Sequence, residues 1–551
     1  MAQNDYPAFE VRTPPELGGD GVAPDAYPVA IIGAGPIGLS AAIDLAQHGI
    51  RSVLLDEDNV VSVGSRAICW AKRSLEIFDR LGVGQRMLAK GVTWQVGRLF
   101  HGSEQVFDFN LLPEPGHQYP AFINLQQYYV EQYLVERCAD FPDLIDLRFK
   151  NKVVDHQEDG SSVALTVETP VGTYQLSASY VLACDGSGSP TRKRMGLPFE
   201  GETFEEHFLI ADVRMDEAPF KTEAAERWFW FAPTFHPGQS ALLHKQPDNV
   251  YRIDLQLGPD ADAAVETAEE VVIPRIRSVV GDKPFSLEWV STYRFRCARL
   301  ERFVHGRVLF VGDSAHVVSP FGARGGNGGI HDVDNLCWKL AAVLKNQAPD
   351  SLLASYDAER THGADENILN SARATNFMTP KSSTESLFRD EVLNLAHRLP
   401  FARRLINSGR LSAPCSLAGF ELLSGGVDGP LSVGEPATDL PLTGQQGESC
   451  WLSSLVGGRF ALLSIDLEAS DGPAGVDLIQ VWTDPKQPLA SSQMYFDQEG
   501  LALKRYGHGI CYLLRPDGHV CASFAGMPSI SQINAAVDRA CGRLSSQEVS
   551  Q

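Results

Sequence analysis

Three glycines near the start of the chain have the spacing of a phosphate-binding turn. Gly33, Gly35 and Gly38 directly follow a short apolar run. Glycines so spaced let the backbone turn tightly and approach a pyrophosphate, whose charge the N–H groups of the next helix can bind. Asp56 ends the next apolar run, about 20 residues further on, where a carboxylate can accept hydrogen bonds from a ribose diol. The pattern predicts a βαβ unit that binds a dinucleotide, and it does not separate NAD from FAD.

Two later acids have the setting expected at the same edge of such a sheet. Asp185 ends an apolar run and precedes a glycine, and Asp313 follows Gly312 at the end of another apolar run. An acid at the carboxyl end of a parallel strand faces a bound cofactor. Each acid also has a simpler explanation, because Asp185 could belong to a hairpin turn and Asp313 could cap the helix that follows.

The order of these motifs along the chain resembles that of a known enzyme family. The motifs are the glycines at 33–38, Ser-Arg-Ala at 65–67, Asp-Gly at 185–186, Gly-Asp-Ser-Ala-His at 312–316, Pro-Phe-Gly-Ala-Arg-Gly-Gly-Asn at 320–327 and Asp-Asn-Leu-Cys-Trp-Lys-Leu at 334–340. The chain resembles the class A, para-hydroxybenzoate hydroxylase-like group of FAD-dependent aromatic hydroxylases. Its length and C-terminal tail are most similar to those of hydroxyphenylpropionate and phenol hydroxylases. The resemblance is strong over residues 28–380 and loose elsewhere.

The resemblance implies that FAD is the bound dinucleotide and assigns a contact to each motif. Gly33, Gly35 and Gly38 would face the pyrophosphate. Asp56 would bind the adenosine ribose. Most relatives have the longer Glu at the position of Asp56, so Glu57 could share this contact. The other implied contacts are Arg66 near the phosphates, Gln127 near the ribityl chain or ring, Asp185 beside the flavin and the approaching nicotinamide, Asp313 on the ribityl chain, and Gly325, Gly326 and Asn327 at the pyrimidine edge. The last three begin a helix, whose N-terminus would stabilise the negative charge of reduced flavin.

The same resemblance implies a monooxygenase reaction on a small aromatic substrate. NADH or NADPH, docking only briefly, would reduce the flavin. O₂ would then form a C4a-hydroperoxide that hydroxylates a phenolic or other electron-rich ring. A flavin-dependent oxidase or dehydrogenase that inserts no oxygen is the alternative, and a flavin-binding module without catalysis is a third hypothesis. The sequence identifies neither the aromatic substrate nor which nicotinamide cofactor is used.

Residues 197–300 alternate between apolar and polar side chains, which predicts a mostly antiparallel sheet. In the resemblance this sheet lies over the flavin and forms the substrate cavity. Within the aromatic run 228–231, the two Trp and the two Phe side chains would point to opposite faces, so only one pair can line a cavity. The candidates for the group that deprotonates a phenol are His244, Tyr251 and Tyr293. Pro320 and Phe321 are expected to border the oxygen site, and His316 to be structural.

The predicted fold class is α/β combined with α+β. A Rossmann-like FAD-binding domain is interleaved with an antiparallel-sheet substrate domain, and a thioredoxin-like domain follows. The predicted segments are an N-terminal arm at 1–27, the FAD-binding domain at 28–196 and 297–380, the substrate domain at 197–296, a helical connector at 381–430 and the thioredoxin-like domain at 431–551. The last domain has no C-x-x-C pair, so we expect a structural or dimer-supporting role, compatible with a homodimer.

Composition excludes several other classes of function. The net charge of −22 disfavours binding to nucleic acid phosphates. No apolar run reaches the roughly 18 residues of a membrane span, and the N-terminus does not resemble a secretory signal. The ten cysteines form no C-x-x-C pair, which argues against a disulfide reductase and for reduced thiols in the cytoplasm. No metal site is predicted.

Overall fold

The computed structural model of the 551-residue chain describes residues 6, 8–17, 26–62, 64, 67–112, 114–219, 224–406, 413–468, 472–487 and 493–544, with the side chains of 204–206 left aside. Within these ranges no helix combines the length and the apolar character that crossing a membrane requires.

The first sheet has a parallel centre. Its strands are β1 (Tyr27–Ile32), β2 (Ser52–Asp56), β8 (Ile145–Phe149), β9 (Lys152–Glu158), β10 (Val163–Thr169), β11 (Gly172–Ala183), β17 (Val304–His305) and β18 (Val308–Phe310). Strands β18, β11, β1, β2 and β8 lie side by side in this order and run parallel. Residues 29–31 of β1 have no exposed surface, because a parallel strand is covered on both faces and needs apolar side chains on both.

The second sheet is almost entirely antiparallel. Its strands are β5 (Val96–His101), β6 (Glu104–Asn110), β12 (Glu200–Arg214), β13 (Arg227–Phe231), β14 (Ser240–Lys245), β15 (Val250–Leu257), β16 (Ser286–Arg299) and β19 (His316–Val317). They lie in the order β19-β16-β12-β15-β14-β13-β5-β6, and only β13 and β5 pair in parallel. The hairpin β5–β6 was predicted to belong to the FAD-binding domain. It instead extends the second sheet, because β5 pairs with β13. These two strands are more than a hundred residues apart, and local sequence patterns do not predict such a pairing.

Two smaller sheets complete the strands. A three-stranded sheet in the order β3-β7-β4 consists of β3 (Cys69–Ala71), β4 (Val92–Trp94) and β7 (Phe122–Asn124). The C-terminal sheet consists of β20 (Pro441–Thr443), β21 (Ser449–Trp451), β22 (Phe460–Ile465), β23 (Val476–Trp482), β24 (Met494–Phe496), β25 (Ile510–Leu514) and β26 (Val520–Ala525). In it β24, β23 and β22 run parallel, and β25 and β26 continue antiparallel.

The helices pack around these sheets. They are α1 (Pro36–Gln47), α2 (Lys72–Arg80), α3 (Gly84–Lys90), α4 (Gln127–Cys138), α5 (Pro190–Arg194), α6 (Ala263–Glu266), α7 (Glu269–Val280), α8 (Gly325–Leu344), α9 (Leu353–Met378), α10 (Ser383–Ala396), α11 (Pro400–Ile406), α12 (Leu452–Leu455), α13 (Ala502–Tyr506) and α14 (Ile530–Ala540). Short 3-10 turns occur at Pro15–Leu17, Gly312–Ser314 and Asp350–Leu352. The predicted connector is helical in α10 and α11, and its described part after 412 contains no helix.

The second sheet has two differently covered faces. On its outer face, Leu209, Ile253 and neighbouring apolar residues pack against Val272 and Ile276 of α7. Its inner face carries Phe208, Phe231 and Phe295 and packs against Phe321, in the loop just before α8. The inner face is therefore the one that can meet a molecule bound at the start of α8.

Candidate flavin and substrate site

The three glycines of the predicted motif form the turn between β1 and α1. Gly33 has a φ of +103°, and a Cβ atom there would lie 2.5 Å from the carbonyl oxygen of Cys184. A Cβ atom at Gly38 would lie 1.9 Å from the carbonyl oxygen of Gly33, so α1 packs on the turn only without a side chain. A Cβ atom at Gly35 would meet no protein atom within 4 Å. Gly35 thus borders open space at the N-terminus of α1, where an anion is stabilised.

Asp56 supports the glycine turn from the end of β2. Its carboxylate accepts hydrogen bonds from the N–H of Ala34 at 2.6 Å and from the N–H of Asp58 at 2.8 Å. Burial raises the pKa of Asp56, and these two N–H groups oppose that rise. Glu57 pairs with Lys152 at 2.8 Å on the surface. The ribose contact stays a prediction for Asp56, which Glu57 could share.

Asp185 lies at the same edge of the first sheet as the glycine turn. β11 ends just before it, beside β1 and β18. The carboxylate of Asp185 accepts hydrogen bonds from Ser189 Oγ at 2.6 Å and from the N–H of Thr191 at 2.9 Å. These bonds place Asp185 in the turn that leads into α5, not in a hairpin. A Cβ atom at Gly186 would again meet no protein atom within 4 Å, so the open space continues along this edge.

Asp313 is exposed in the turn that follows β18. The buried carboxylate of Asp332 holds this turn in place from the protein interior. Asp332 of α8 accepts hydrogen bonds from the N–H of Gly312 at 3.0 Å and from Arg360 Nε at 2.7 Å, and contacts His316 Nε2 at 2.6 Å. Burial alone would raise the pKa of Asp332, but His316 and Arg360 together hold it well below its usual value. His316 lies behind the turn, in the structural position that the sequence suggested.

Gln127 holds the loop that carries the Ser-Arg-Ala motif. Its Oε1 accepts a hydrogen bond from the N–H of Ala67 at 3.2 Å, and its Nε2 donates to Ser62 Oγ at 3.1 Å and to Glu131 Oε1 at 2.8 Å. Glu131 also accepts from the N–H of Ser62 at 2.6 Å. The structure thus uses Gln127 and Glu131 to fix both ends of the loop. Arg66, the predicted phosphate contact within it, lies outside the described residues.

The glycine-rich start of α8 faces this loop. The side chain of Asn327 donates to the carbonyl oxygen of Cys69 at 2.9 Å and accepts from the N–H of Ala71 at 2.9 Å, so it ties α8 to β3. Only backbone groups of 325–327 can then serve a flavin, and the first N–H groups of a helix have no partner within the helix. A Cβ atom at Gly326 would make ordinary contacts of 3.5 Å with Ala67 and Trp70.

The structure separates the three candidates for a catalytic base. Tyr251 is buried on the outer face, with Leu209 and Ile253, and cannot reach the inner face. The prediction that Tyr251 lines the cavity is therefore wrong. Side chains alternate between the two faces of a strand, and Tyr251 lies on the face opposite to that of Arg252 and Asp254. Tyr293 lies at the rim of the inner face, 38% exposed. His244 lies within the inner face and is buried.

A row of paired residues crosses the middle of the inner face. In order across five neighbouring strands they are Ser291, Ile210, Asp254, Leu242 and Phe229. We call this row the middle ladder. All its members except Leu242 keep part of their surface exposed. The middle ladder is thus the strip of the inner face that a ligand can touch.

Aromatic rings lie on one side of the middle ladder. The ring of Phe208 is 4.7 Å from that of Phe295 and 5.3 Å from that of Phe321, and the last two rings meet edge to face at 5.3 Å. Phe229 and Phe231 belong to this inner face, whereas Trp228 and Trp230 pack on the outer face. The Phe pair of the aromatic run is therefore the pair that can border a cavity. Pro320, next to Phe321, is exposed.

Charged side chains lie on the other side of the middle ladder. Arg252 binds Asp212 through two hydrogen bonds of 2.8 and 2.7 Å. Arg227 is buried and donates to Cys69 Sγ at 3.4 Å, and no carboxylate oxygen of the described residues lies within 4 Å of it. His244 Nε2 is 3.3 Å from Asp254 Oδ2. Burial, followed by the charge of Arg227, lowers the pKa of His244 to about 4, so the imidazole is neutral at neutral pH.

Several atoms of this charged group are buried without a hydrogen-bond partner among the described residues. They are both ring nitrogens of His244, Nε of Arg227 and Oδ1 of Asp254. A buried polar atom left without a partner costs about 1–3 kcal/mol, so groups of this kind usually bind a ligand or water. Asp254 was missed by the sequence analysis. The alternation in 250–257 could have found it, because it places Asp254 on the polar side of β15 and Tyr251 on the apolar side.

The chain is similar to known proteins in sequence. Residues 26–371 match the model of a protein family described as FAD binding domain. A flavin-dependent monooxygenase of Mycobacteroides abscessus is 32% identical over 60% of this chain and 70% of its own length. A 3-(3-hydroxy-phenyl)propionate/3-hydroxycinnamic acid hydroxylase of Klebsiella pneumoniae is 28% identical over 79% of this chain and 77% of its own.

A solved structure shows the same fold over most of the chain. It is the flavin-dependent monooxygenase PieE in complex with FAD and substrate, with a TM-score of 0.79 at 20% identity. The superposition covers 95% of this chain and all of the other. The mixed α/β architecture with several sheets is therefore that of FAD-dependent hydroxylases, as the resemblance implied.

Proposed function

Because the chain belongs to the family defined by this FAD binding domain, we propose that it is a monooxygenase that uses FAD and O₂ to hydroxylate an aromatic ring. The observation that carries the proposal is the position of the middle ladder. This partly exposed strip has aromatic rings on one side and charged groups on the other, and it lies on the sheet face turned towards the start of α8.

The residues at the edge of the first sheet fit FAD. Gly35 leaves room at the N-terminus of α1 for a pyrophosphate, and Gly33 and Gly38 shape that turn. Asp56 would hold the adenosine ribose, Asp313 the ribityl chain, and the N–H groups of Gly325 and Gly326 the pyrimidine edge of the flavin. When bound, FAD would supply the redox chemistry, taking electrons from NADH or NADPH and passing oxygen from O₂ to the substrate.

The residues of the inner face would orient the substrate and keep water away. Phe208, Phe295 and Phe321 are buried and form a continuous apolar wall beside the middle ladder, and aromatic pairs of this kind add about 0.5–1.5 kcal/mol each. Exclusion of water by such a wall protects a reactive oxygen species from side reactions. The charged groups on the other side of the middle ladder would fix the direction of the ring.

The experiment is a turnover assay under ¹⁸O₂ with purified FAD-loaded protein, NADH or NADPH, and a panel of substituted phenols. We expect one ¹⁸O atom in the hydroxylated product and faster NAD(P)H oxidation when the substrate is present. A flavin-dependent oxidase or dehydrogenase would consume the aromatic substrate without incorporating ¹⁸O. Products free of ¹⁸O would therefore contradict the proposal and favour that alternative.

We also propose that the C-terminal sheet with α14 is a thioredoxin-like unit with a structural role. Parallel β24, β23 and β22 followed by the antiparallel hairpin β25–β26 and a final helix support this assignment. The described residues between β22 and β23 contain no crossover helix, which is a departure from that fold. Its cysteines are not spaced as a C-x-x-C pair, so dithiol chemistry is not expected.

A further inference from the structure

We propose that Asp254 is the group that receives the proton of the substrate's ring hydroxyl, and that His244, whose Nε2 lies 3.3 Å from Asp254 Oδ2, is a positioning residue behind it. The inference rests on the proposed function and adds to it the residue that accepts the proton.

The first support is the place of Asp254 in the sheet. It is the central member of the middle ladder, paired with Ile210 on one side and Leu242 on the other. Its side chain is 16% exposed, whereas that of His244 is 3% exposed. Asp254 is therefore the charged group of this face that a ligand lying along the middle ladder can reach, and His244 lies behind it.

The second support is the set of groups around the carboxylate. Oδ1 of Asp254 has no hydrogen-bond partner among the described residues, and Oδ2 faces only the neutral imidazole of His244 at 3.3 Å. The titratable and charged groups that surround it are His244 of β14, Arg252 of β15, Arg227 of β13, Cys69 of β3 and, through Arg252, Asp212 of β12. Arg252 is already neutralised by Asp212, so the carboxylate of Asp254 is not consumed in an ion pair.

The third support is that the arrangement suits the proton transfer that ring hydroxylation requires. When a new C–O bond forms on the ring, the ring passes an electron pair to the incoming oxygen and develops positive charge, while the bond between this oxygen and its donor breaks and its electron pair leaves with the donor. The O–H bond of the substrate hydroxyl then breaks, its electron pair completes a C=O bond on the ring, and the proton goes to the carboxylate of Asp254. Loss of the ring hydrogen afterwards restores the aromatic system. An acceptor placed at the hydroxyl accelerates such a step by about 10²–10⁴-fold.

The test compares Asp254→Asn with wild-type protein on phenols of increasing acidity, such as a fluorinated series. The Asn side chain has the same shape but cannot take up a proton, so we expect a loss of about 100-fold in the hydroxylation rate with unsubstituted phenols. The loss should shrink as the phenol becomes more acidic, and also as the pH is raised towards the phenol's own pKa, because the substrate then arrives ionised. Asp108→Asn, on the edge strand β6 and exposed, is the matched control and should behave as wild type.

Two further variants keep the result interpretable. Asp254→Glu retains a carboxylate and should recover part of the rate that Asp254→Asn loses, at unchanged FAD content. His244→Gln should lower the rate less than Asp254→Asn, with the same dependence on phenol acidity. An equal loss across the whole series, or no loss, would overturn this inference while leaving ¹⁸O incorporation by the wild type intact. A wild-type protein that incorporates no ¹⁸O would instead overturn the proposed function and this inference with it.

Discussion

At Gly35 the protein itself does not require a glycine. The residue has ordinary backbone angles, φ −73° and ψ −178°, and room for a side chain. We therefore expect Gly35→Val to fold normally but to bind FAD roughly 100-fold more weakly, equivalent to about 3 kcal/mol, since the side chain would occupy the place of the pyrophosphate. Flavin content and the melting temperature of the apoprotein measure the two effects separately.

The control for this variant is Gly258→Val, at another position with open space around its Cβ atom. It should keep both its flavin and its stability. Gly38→Ala should behave differently from either, because its Cβ atom would collide with the turn and destabilise the fold itself. Retention of FAD by Gly35→Val would show that the pyrophosphate does not lie at this turn.

His244 makes the protein sensitive to mild acid. Its pKa in the folded protein is about 4, below the value of about 6.5 in an unfolded chain. Between these values the unfolded state binds the proton and the folded state does not, so the stability present above pH 6.5 is lost as the pH falls towards 4. The largest loss from this residue is about 3 kcal/mol. Urea unfolding between pH 4.5 and 7 should show a shallower pH dependence for His244→Gln, and no change in slope for the exposed His508→Gln.

At the scale of elements, α8 is both the predicted flavin-binding helix and the support of the turn that carries Asp313. Asp332→Asn keeps an acceptor for the Gly312 N–H but removes the charge opposite Arg360 and His316. Leaving a buried arginine unpaired costs about 3–5 kcal/mol, and we expect that loss together with reduced FAD retention. The control is Asp365→Asn on α9, where the exposed carboxylate pairs with Arg299 of β16. It should change the free energy of unfolding by less than about 1 kcal/mol. Equal unfolding free energies for the two variants would contradict this role of Asp332.

Elements that depend on neighbouring residues were predictable, and pairings between distant segments were not. The glycine turn and the acidic strand ends follow from contiguous motifs, and the alternation in 197–300 predicted the antiparallel sheet. The wrong choice of Tyr251 came from its residue type, although the same alternation assigned it to the apolar face. The meeting of Arg227, His244 and Asp254 depends on the register of three strands, and no short motif encodes it.

At the scale of the whole molecule, a buried ionic cluster joins the C-terminal unit to α8 and α9. Arg515, with no exposed surface, donates to both carboxylate oxygens of Glu359 at 2.8 and 2.9 Å, and Lys339 donates to Glu359 at 2.8 Å. Arg515→Leu would leave Glu359 with Lys339 as its one cationic partner among the described residues, so we expect a loss of about 3–5 kcal/mol in the free energy of unfolding. Chemical denaturation followed by circular dichroism measures this loss.

Arg543→Leu is the matched control from the same unit. Arg543 pairs with Asp538 on the surface, and its side chain is 38% exposed, so its loss should cost less than about 1 kcal/mol. If Arg515→Leu were no less stable than this control, the C-terminal unit would not be locked to the helices through Glu359.

The order of strands in the first sheet has a consequence for synthesis on the ribosome. β1 lies between β2 and β11, and β11 is completed by β18, whose last residue is Phe310. At 5–20 residues per second, translation needs roughly 8–30 s to travel from the end of β1 to the end of β11 at Ala183. During this interval the apolar residues of β1 emerge without one of the neighbours that later cover them. We therefore expect the nascent chain to expose these residues for longer than a protein built from sequential hairpins, and to capture its cofactor only after α8 has been synthesised.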